Sequence, residues 1–206
     1  MPSPIGHALA GLAAAWTADL VPGDRSGRTV PGTGTWYQRA GGRVTLLCAG
    51  LAAAPDLDLL FPGTHRTASH SLFVMFLVGA ATAAFAASIG RPVRRLALMC
   101  AAAYGSHLLM DWLGVDNYPP RGIQLLWPMS QEWYISGLDL FRQTNRLHIF
   151  TRGPMMTNIK AITQEIAILG PIVAVLWRIR ARRLDSFDRQ RHTVAATEAE
   201  RGDAAP

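Results

Sequence analysis

Leu72-Phe-Val-Met-Phe-Leu-Val-Gly-Ala-Ala-Thr-Ala-Ala-Phe-Ala-Ala-Ser-Ile89 runs for 18 residues without a charge. As a helix rising about 1.5 Å per residue, it comes close to the roughly 30 Å of a bilayer's hydrocarbon core. Four more apolar segments lie around it, at about 4–21, 44–61, 96–113 and 162–179. The last is interrupted by Gly170-Pro171 and ends in Arg178-Ile-Arg-Ala-Arg-Arg183, a stop signal of the membrane type. Segments one, two and four carry His7 and Asp19, Asp56 and Asp58, and His107 and Asp111. Ionisable residues at membrane depth are costly and usually functional. Buried helices of a soluble bundle are the alternative reading of these three segments.

Composition agrees with the membrane reading. Half of the chain is apolar and 17% is charged, against roughly 25% charged in soluble domains. The mean hydropathy of +0.15 averages the apolar runs with a polar loop at 22–43 and a charged tail. The net charge of +6 is almost wholly arginine, since Lys160 is the only lysine. Such a balance suits nucleic acid or the cytoplasmic loops of a membrane protein, and position along the chain decides. With five spans threaded, loops 22–43 and 90–95 and the C-terminal tail share one side and hold 14 of the 20 basic residues. That side is expected to be cytoplasmic by the positive-inside rule, which puts the N-terminus outside and makes nucleic acid an unexpected partner.

The fold class expected is therefore all-α: a helical integral membrane protein of about five apolar helices, multi-pass in a bacterial inner membrane. Residues 1–183 form a single membrane domain, and 184–206 form a disordered, charged cytoplasmic tail. The Met-Pro-Ser-Pro start has no basic run before the first apolar segment, so no cleaved signal peptide is expected. Cys48 and Cys100 sit inside apolar runs with no His nearby in sequence, which suits small buried hydrophobes better than thiolate ligands. Membrane lipid is the expected surrounding partner, and nothing in the pattern sets an oligomeric state.

On that topology the His and Asp residues converge. His7 precedes the first span, Pro55-Asp56-Leu57-Asp58 ends the second, His65 and His70 flank the turn into the third, and His107 and Asp111 end the fourth. All fall on the non-cytoplasmic side. In Ser106-His107-Leu-Leu-Met-Asp111 the two ligand types stand four apart on a helix, sharing a face with Cβ atoms about 6 Å apart. An extended backbone after Pro55 is expected to point Asp56 and Asp58 the same way. Imidazole with hard carboxylate oxygen suits Zn, Mn or Fe. Each residue also has a plainer role: His7 a helix-start histidine, Asp56 a turn cap, His65 a solvated loop residue, His107 and Asp111 an intrahelical hydrogen bond. Taken jointly, a metal site at one membrane face is the better reading.

The ordered set Gly6-His7, Pro55-Asp56-Leu-Asp58, His65-Arg-Thr-Ala-Ser-His70-Ser71, Ser106-His107-x-x-x-Asp111 and Gly122-Ile-Gln-Leu-Leu-Trp-Pro128 resembles the YdjM-like bacterial inner-membrane proteins, candidate metal-dependent hydrolases. The resemblance covers roughly residues 6 to 128. That family is distantly similar to the zinc-dependent phospholipase C and single-strand nuclease superfamily, which implies zinc and a phosphoester substrate. Thr-Ala-Ser stands between His65 and His70 where relatives commonly have Gly, an aromatic and Thr, and the part after Pro128 aligns poorly.

The resulting expectation is a membrane-bound hydrolase using a metal-activated water, with a lipid-like phosphoester among its substrates. Asp56 is the expected catalytic or bridging carboxylate. His7, Asp56, Asp58, His65, His70, His107 and Asp111 are the expected ligands, with Glu165 a weaker candidate. Arg66 or Arg121 is placed to receive a phosphate, since guanidinium forks match phosphate oxygens. Trp127 is a candidate substrate contact or an interface anchor. His148 and His192 lack partners at helical spacing and are set aside. A non-catalytic membrane scaffold or metal-binding protein is the alternative, because it would keep the ligands without an open coordination position.

Overall fold

The computed structural model describes residues 1–21, 41–61, 63–146 and 148–203, with side chains as far as Arg182. The polar loop expected at 22–43 thus lies outside the described residues except for its last three positions. The architecture is all-helical, with five α-helices and no strand among the described residues: α1 Pro4–Asp19, α2 Gly42–Ala53, α3 Leu72–Ser88, α4 Val93–Leu113 and α5 Arg152–Asp203. Two short 3-10 segments, Ala54–Leu60 and Ala68–His70, lie between α2 and α3. The expected boundary after residue 183 falls within α5, past the last described side chain.

Local chemistry explains the helix starts. Ser3 caps α1, its hydroxyl accepting from the Gly6 amide at 3.0 Å, and Pro4 follows at the position where a missing N–H costs nothing. Ser71 caps α3 in the same way through Val74. Glu165 of α5 reaches the start of α1, where its carboxylate accepts from the Ser3 amide at 2.7 Å and from the Ser3 hydroxyl. A side chain at Gly6 would put its Cβ 2.5 Å from the Glu165 Oε2, so glycine is what lets this anion approach the positive end of α1.

Packing centres on α4, which lies against α1, α2 and α3, while α5 packs along α1. The contacts are built from small side chains: Ala15, Cys48, Met99, Cys100 and Ala103 form one buried cluster. The two cysteines thus play the packing role that their sequence context suggested. A Cβ on Gly11 would lie 2.3 Å from the Ala52 Cβ, so α1 and α2 approach as closely as small-residue interfaces in membranes do. By contrast, α3 is apolar all round, yet only its Ala86 is buried, and Phe73, Phe76 and Phe85 face outward. Ile166, Ile172 and Val175 do the same on α5. An apolar surface of this kind is stable against lipid rather than water.

Among the described residues two helices, Val93–Leu113 and Arg152–Arg182, are long and apolar enough to cross a membrane. The fifth apolar segment is longer than the sequence suggested, because α5 runs through Gly170-Pro171 without a break. The second is shorter: α2 stops at Ala53 and the chain tightens into a 3-10 helix, with Pro55 at its start. The extended backbone expected after Pro55 is therefore not what forms. Proline's fixed φ suits the first turn of a helix equally well.

The bundle's two ends differ in chemistry. At one, buried Asp19 receives Arg95 Nε at 2.6 Å and Arg180 Nε at 2.9 Å, joining α1, α4 and α5. At the other, near the start of α1 and the end of α4, the histidines gather.

Candidate metal centre

His107 and Asp111 occupy one face of the last turns of α4, as their spacing of four dictates, with His107 Nε2 3.2 Å from Asp111 Oδ2. From α1, His7 stacks on the His107 ring with centroids 3.8 Å apart and reaches Asp111 Oδ1 at 3.4 Å. The 3-10 turn before α3 delivers His70, whose Nε2 lies 3.3 Å from Asp111 Oδ2 and 3.0 Å from His107 Nε2. Asp56 enters from the 3-10 helix after α2, with Oδ1 at 3.9 Å from the Nε2 of both His70 and His107. His7, His70 and His107 are fully buried, and Asp111 is 3% exposed.

The hydrogen-bond partners fix which ring nitrogens carry protons. A carbonyl can only accept, so His107 Nδ1 donates to Ala52 O at 2.7 Å. His70 Nδ1 lies 3.0 Å from the Ser69 hydroxyl, whose own proton goes to Asp58, and 3.1 Å from Asp58 Oδ2, so it carries the proton as well. In the neutral rings both Nε2 atoms then present lone pairs to each other at 3.0 Å. Two lone pairs repel at that distance unless a proton or a cation lies between them. His70 shows the first solution: burial pushes its pKa down, but the neighbouring Asp111 and Asp58 carboxylates outweigh burial and raise it to about 9.

Several buried polar atoms have no hydrogen-bond partner: both nitrogens of His7, both carboxylate oxygens of Asp111, and Asp56 Oδ1. Leaving such atoms unsatisfied costs about 1–3 kcal/mol each, and here they converge on one place. Among the described residues three overlapping sets have ligand atoms close enough to share an ion: His7, Asp56 and His107; Asp56, His65 and His70; His70, His107 and Asp111. Buried His and Asp groups of this chain could therefore hold a metal ion.

Asp58 sits one layer out. It accepts from His65 Nδ1 at 2.6 Å, the Arg66 amide at 2.9 Å and the Ser69 hydroxyl at 2.5 Å, with His70 Nδ1 alongside at 3.1 Å. His65 is on Oδ1, while the Arg66 amide, Ser69 and His70 crowd Oδ2. His65 stands at the edge, its Nε2 2.7 Å from Arg146 Nη1 and 3.2 Å from Met1 Sδ.

The remaining sequence candidates are elsewhere. Arg66 has φ 66°, is buried, and pairs with Asp116 while its guanidinium lies 5.7 Å from the Trp133 ring centroid. Arg121 is exposed. Trp127 packs on Phe73 with centroids 6.0 Å apart. Glu165 is occupied by Ser3 and belongs to none of the three ligand sets. Sequence reading passed over Arg146, which touches His65 and stands 3.9 Å from Asp56 Oδ1. It lies in the irregular connection between α4 and α5, where no periodicity marks a residue as facing the site.

The family model described as YdjM inner membrane protein matches residues 1–184. No curated protein and no solved structure matches the chain. The matched description and the two long apolar helices agree on a membrane location.

Proposed function

Because the chain belongs to the YdjM inner membrane protein family, we propose that it is a membrane-bound, metal-dependent hydrolase of phosphoesters, with lipid-like substrates within its reach. The observation that supports this best is the convergence of partnerless buried atoms of His7, Asp56 and Asp111 on the facing Nε2 atoms of His70 and His107. When bound, a divalent cation supplies a Lewis acid that acidifies water and polarises a phosphoryl group.

The chain's own residues divide the remaining work. His7, His70, His107 and Asp111 would hold the ion, and zinc, with manganese or iron as alternatives, suits this mixture of imidazole and carboxylate. Asp56 belongs to two of the three candidate ligand sets, which fits a carboxylate shared between ions or orienting a water. Asp58 and Ala52 O orient His70 and His107 by their other ring nitrogens, the usual arrangement behind a metal-ligating imidazole. His65 completes the set on the open side. Neither cysteine offers a rival nucleophile, since both are packed in the apolar core.

Complete burial of three histidines also suits a closed, non-catalytic metal site. Asp56 favours the hydrolase, because its side chain keeps 13% exposure beside His65 and Arg146. The arginine distribution supports a multi-pass arrangement with the site on the non-cytoplasmic side. A C-terminal reporter that works only outside the cytoplasm would overturn that orientation.

Elemental analysis of detergent-purified protein, paired with phosphoester hydrolysis with and without chelator, tests the reading. His70→Ala and His107→Ala should each lose bound metal and chelator-sensitive turnover. Wild-type metal content in both variants would make the constellation structural. Metal-loaded protein inactive on every phosphoester tried would leave the scaffold role.

A further inference from the structure

A phosphoesterase needs something to hold the anionic part of its substrate, and a cavity of about 280 Å³ opens beside the histidine cluster. His65, Arg66, Asp116, Tyr118 and Arg146 are among the residues that line it. Its size, just under the roughly 300–1,000 Å³ of typical small-molecule pockets, suits a head group rather than a polymer.

The charge of the cavity is uneven. Its one lining carboxylate, Asp116, is committed: it pairs with Arg66 Nη1 and accepts from the Gly122 amide at 2.8 Å and the Tyr118 amide at 3.2 Å. Arg66 Nε is nevertheless buried with no hydrogen-bond partner. The positive φ of Arg66 is a conformation that a bulky residue adopts only under constraint, and such strain concentrates at binding sites.

Arg146 is still less satisfied. Among the described residues no carboxylate lies nearer to it than Asp56 at 3.9 Å. Its contacts are His65 Nε2 at 2.7 Å and the Met1 thioether at 3.1 Å, the latter a weak acceptor. The Arg146 fork, 37% exposed and with donors left over after those two contacts, thus faces a cavity with two guanidinium groups and one spent carboxylate.

We propose that Arg146 seats a phosphate group, so that this cavity binds the phosphate-bearing head of the substrate next to Asp56. The seat rests on the phosphoester reading for its purpose, but phosphate binding itself does not require the metal. Arg146 would be the fork that closes on phosphate oxygens, and Arg66, immobilised by Asp116, adds a guanidinium to the cavity wall.

Titration calorimetry of the full chain in detergent with inorganic phosphate tests this, on metal-loaded and on chelated protein. Arg146→Ala should weaken phosphate binding about tenfold or more in both states, the scale for loss of charge-assisted hydrogen bonds. Metal content and melting temperature should stay at wild-type values, and Arg146→Lys should recover part of the loss, since it keeps charge without the fork. Reconstitution in phosphatidylcholine nanodiscs with and without phosphatidic acid identifies the source: competition by phosphatidic acid assigns the seat to a lipid head group, and none assigns it to a soluble phosphate compound. Wild-type phosphate affinity in Arg146→Ala, or no phosphate binding by wild type, overturns the proposal. Absence of metal from wild type would sink the hydrolase reading alone, because the chelated arm still measures Arg146.

Discussion

Asp58 grips His70 by its Nδ1 at 3.1 Å, on the opposite edge of the ring from the nitrogen that faces His107 at 3.0 Å. The carboxylate thereby sets both the tautomer and the aim of the inner nitrogen. Ser69 shares the same carboxylate oxygen, and Tyr104 donates to the Ser69 carbonyl at 2.6 Å, which anchors the turn to α4.

Asp58→Asn should weaken metal binding without deleting a candidate ligand. The amide keeps the size of the carboxylate but replaces an acceptor with a donor at one position, in conflict with at least one of the donors that Asp58 receives, and it removes the charge beside His70. A rise in the metal dissociation constant of about 10–100-fold is expected, as for other groups that orient ligating histidines. Competition against a chromogenic chelator measures it, and an unchanged constant would deny Asp58 the orienting role.

Metal uptake should be linked to pH through His70. With its pKa raised to about 9, the metal-free ring carries a proton at neutral pH, and a cation must displace that proton to reach Nε2. Because the protonated form competes, apparent affinity should climb as pH rises, by up to about tenfold per unit between roughly 7 and 9. Above 9 this contribution ends. An unperturbed histidine would level off near 6.5, so affinity already flat between 7 and 9 would show that His70 is not a ligand whose proton must leave.

Much of this site is legible in the sequence. His107 and Asp111 needed only the helical period, and the meeting of His7, His70 and His107 followed from where each lies along an apolar segment. What could not be read was decided by short-range geometry. Asp56 and Asp58 were expected to point alike on an extended chain; on a 3-10 helix, Asp56 faces the cluster while Asp58 is surrounded by donors from the 65–70 turn. Glu165 was a ligand candidate from position alone, but the seat that Gly6 leaves open at the start of α1 claims it. Arg146 carries no periodic signal, because the connection that delivers it is irregular.

Asp56→Asn is the variant that separates catalysis from metal storage. Asp56 Oδ1 has no hydrogen-bond partner and lies equally far, at 3.9 Å, from His70 Nε2, His107 Nε2 and Arg146 Nη2. It is therefore the carboxylate between the buried imidazoles and the cavity, where a reacting water and a phosphoryl group would meet. The amide preserves volume but removes the charge that would balance a cation and the base that would orient water. Turnover should fall by about 10² or more, the scale on which a positioned acid-base group acts. Folding should change little, since no hydrogen bond of Asp56 Oδ1 is lost and the side chain is not sealed from solvent. Hydrolysis of phospholipid and of generic phosphodiesters by wild type and variant, each with and without chelator, gives the comparison. Activity insensitive to both chelator and Asp56→Asn would belong to another site, whereas loss of turnover with metal still bound would place Asp56 in the chemistry.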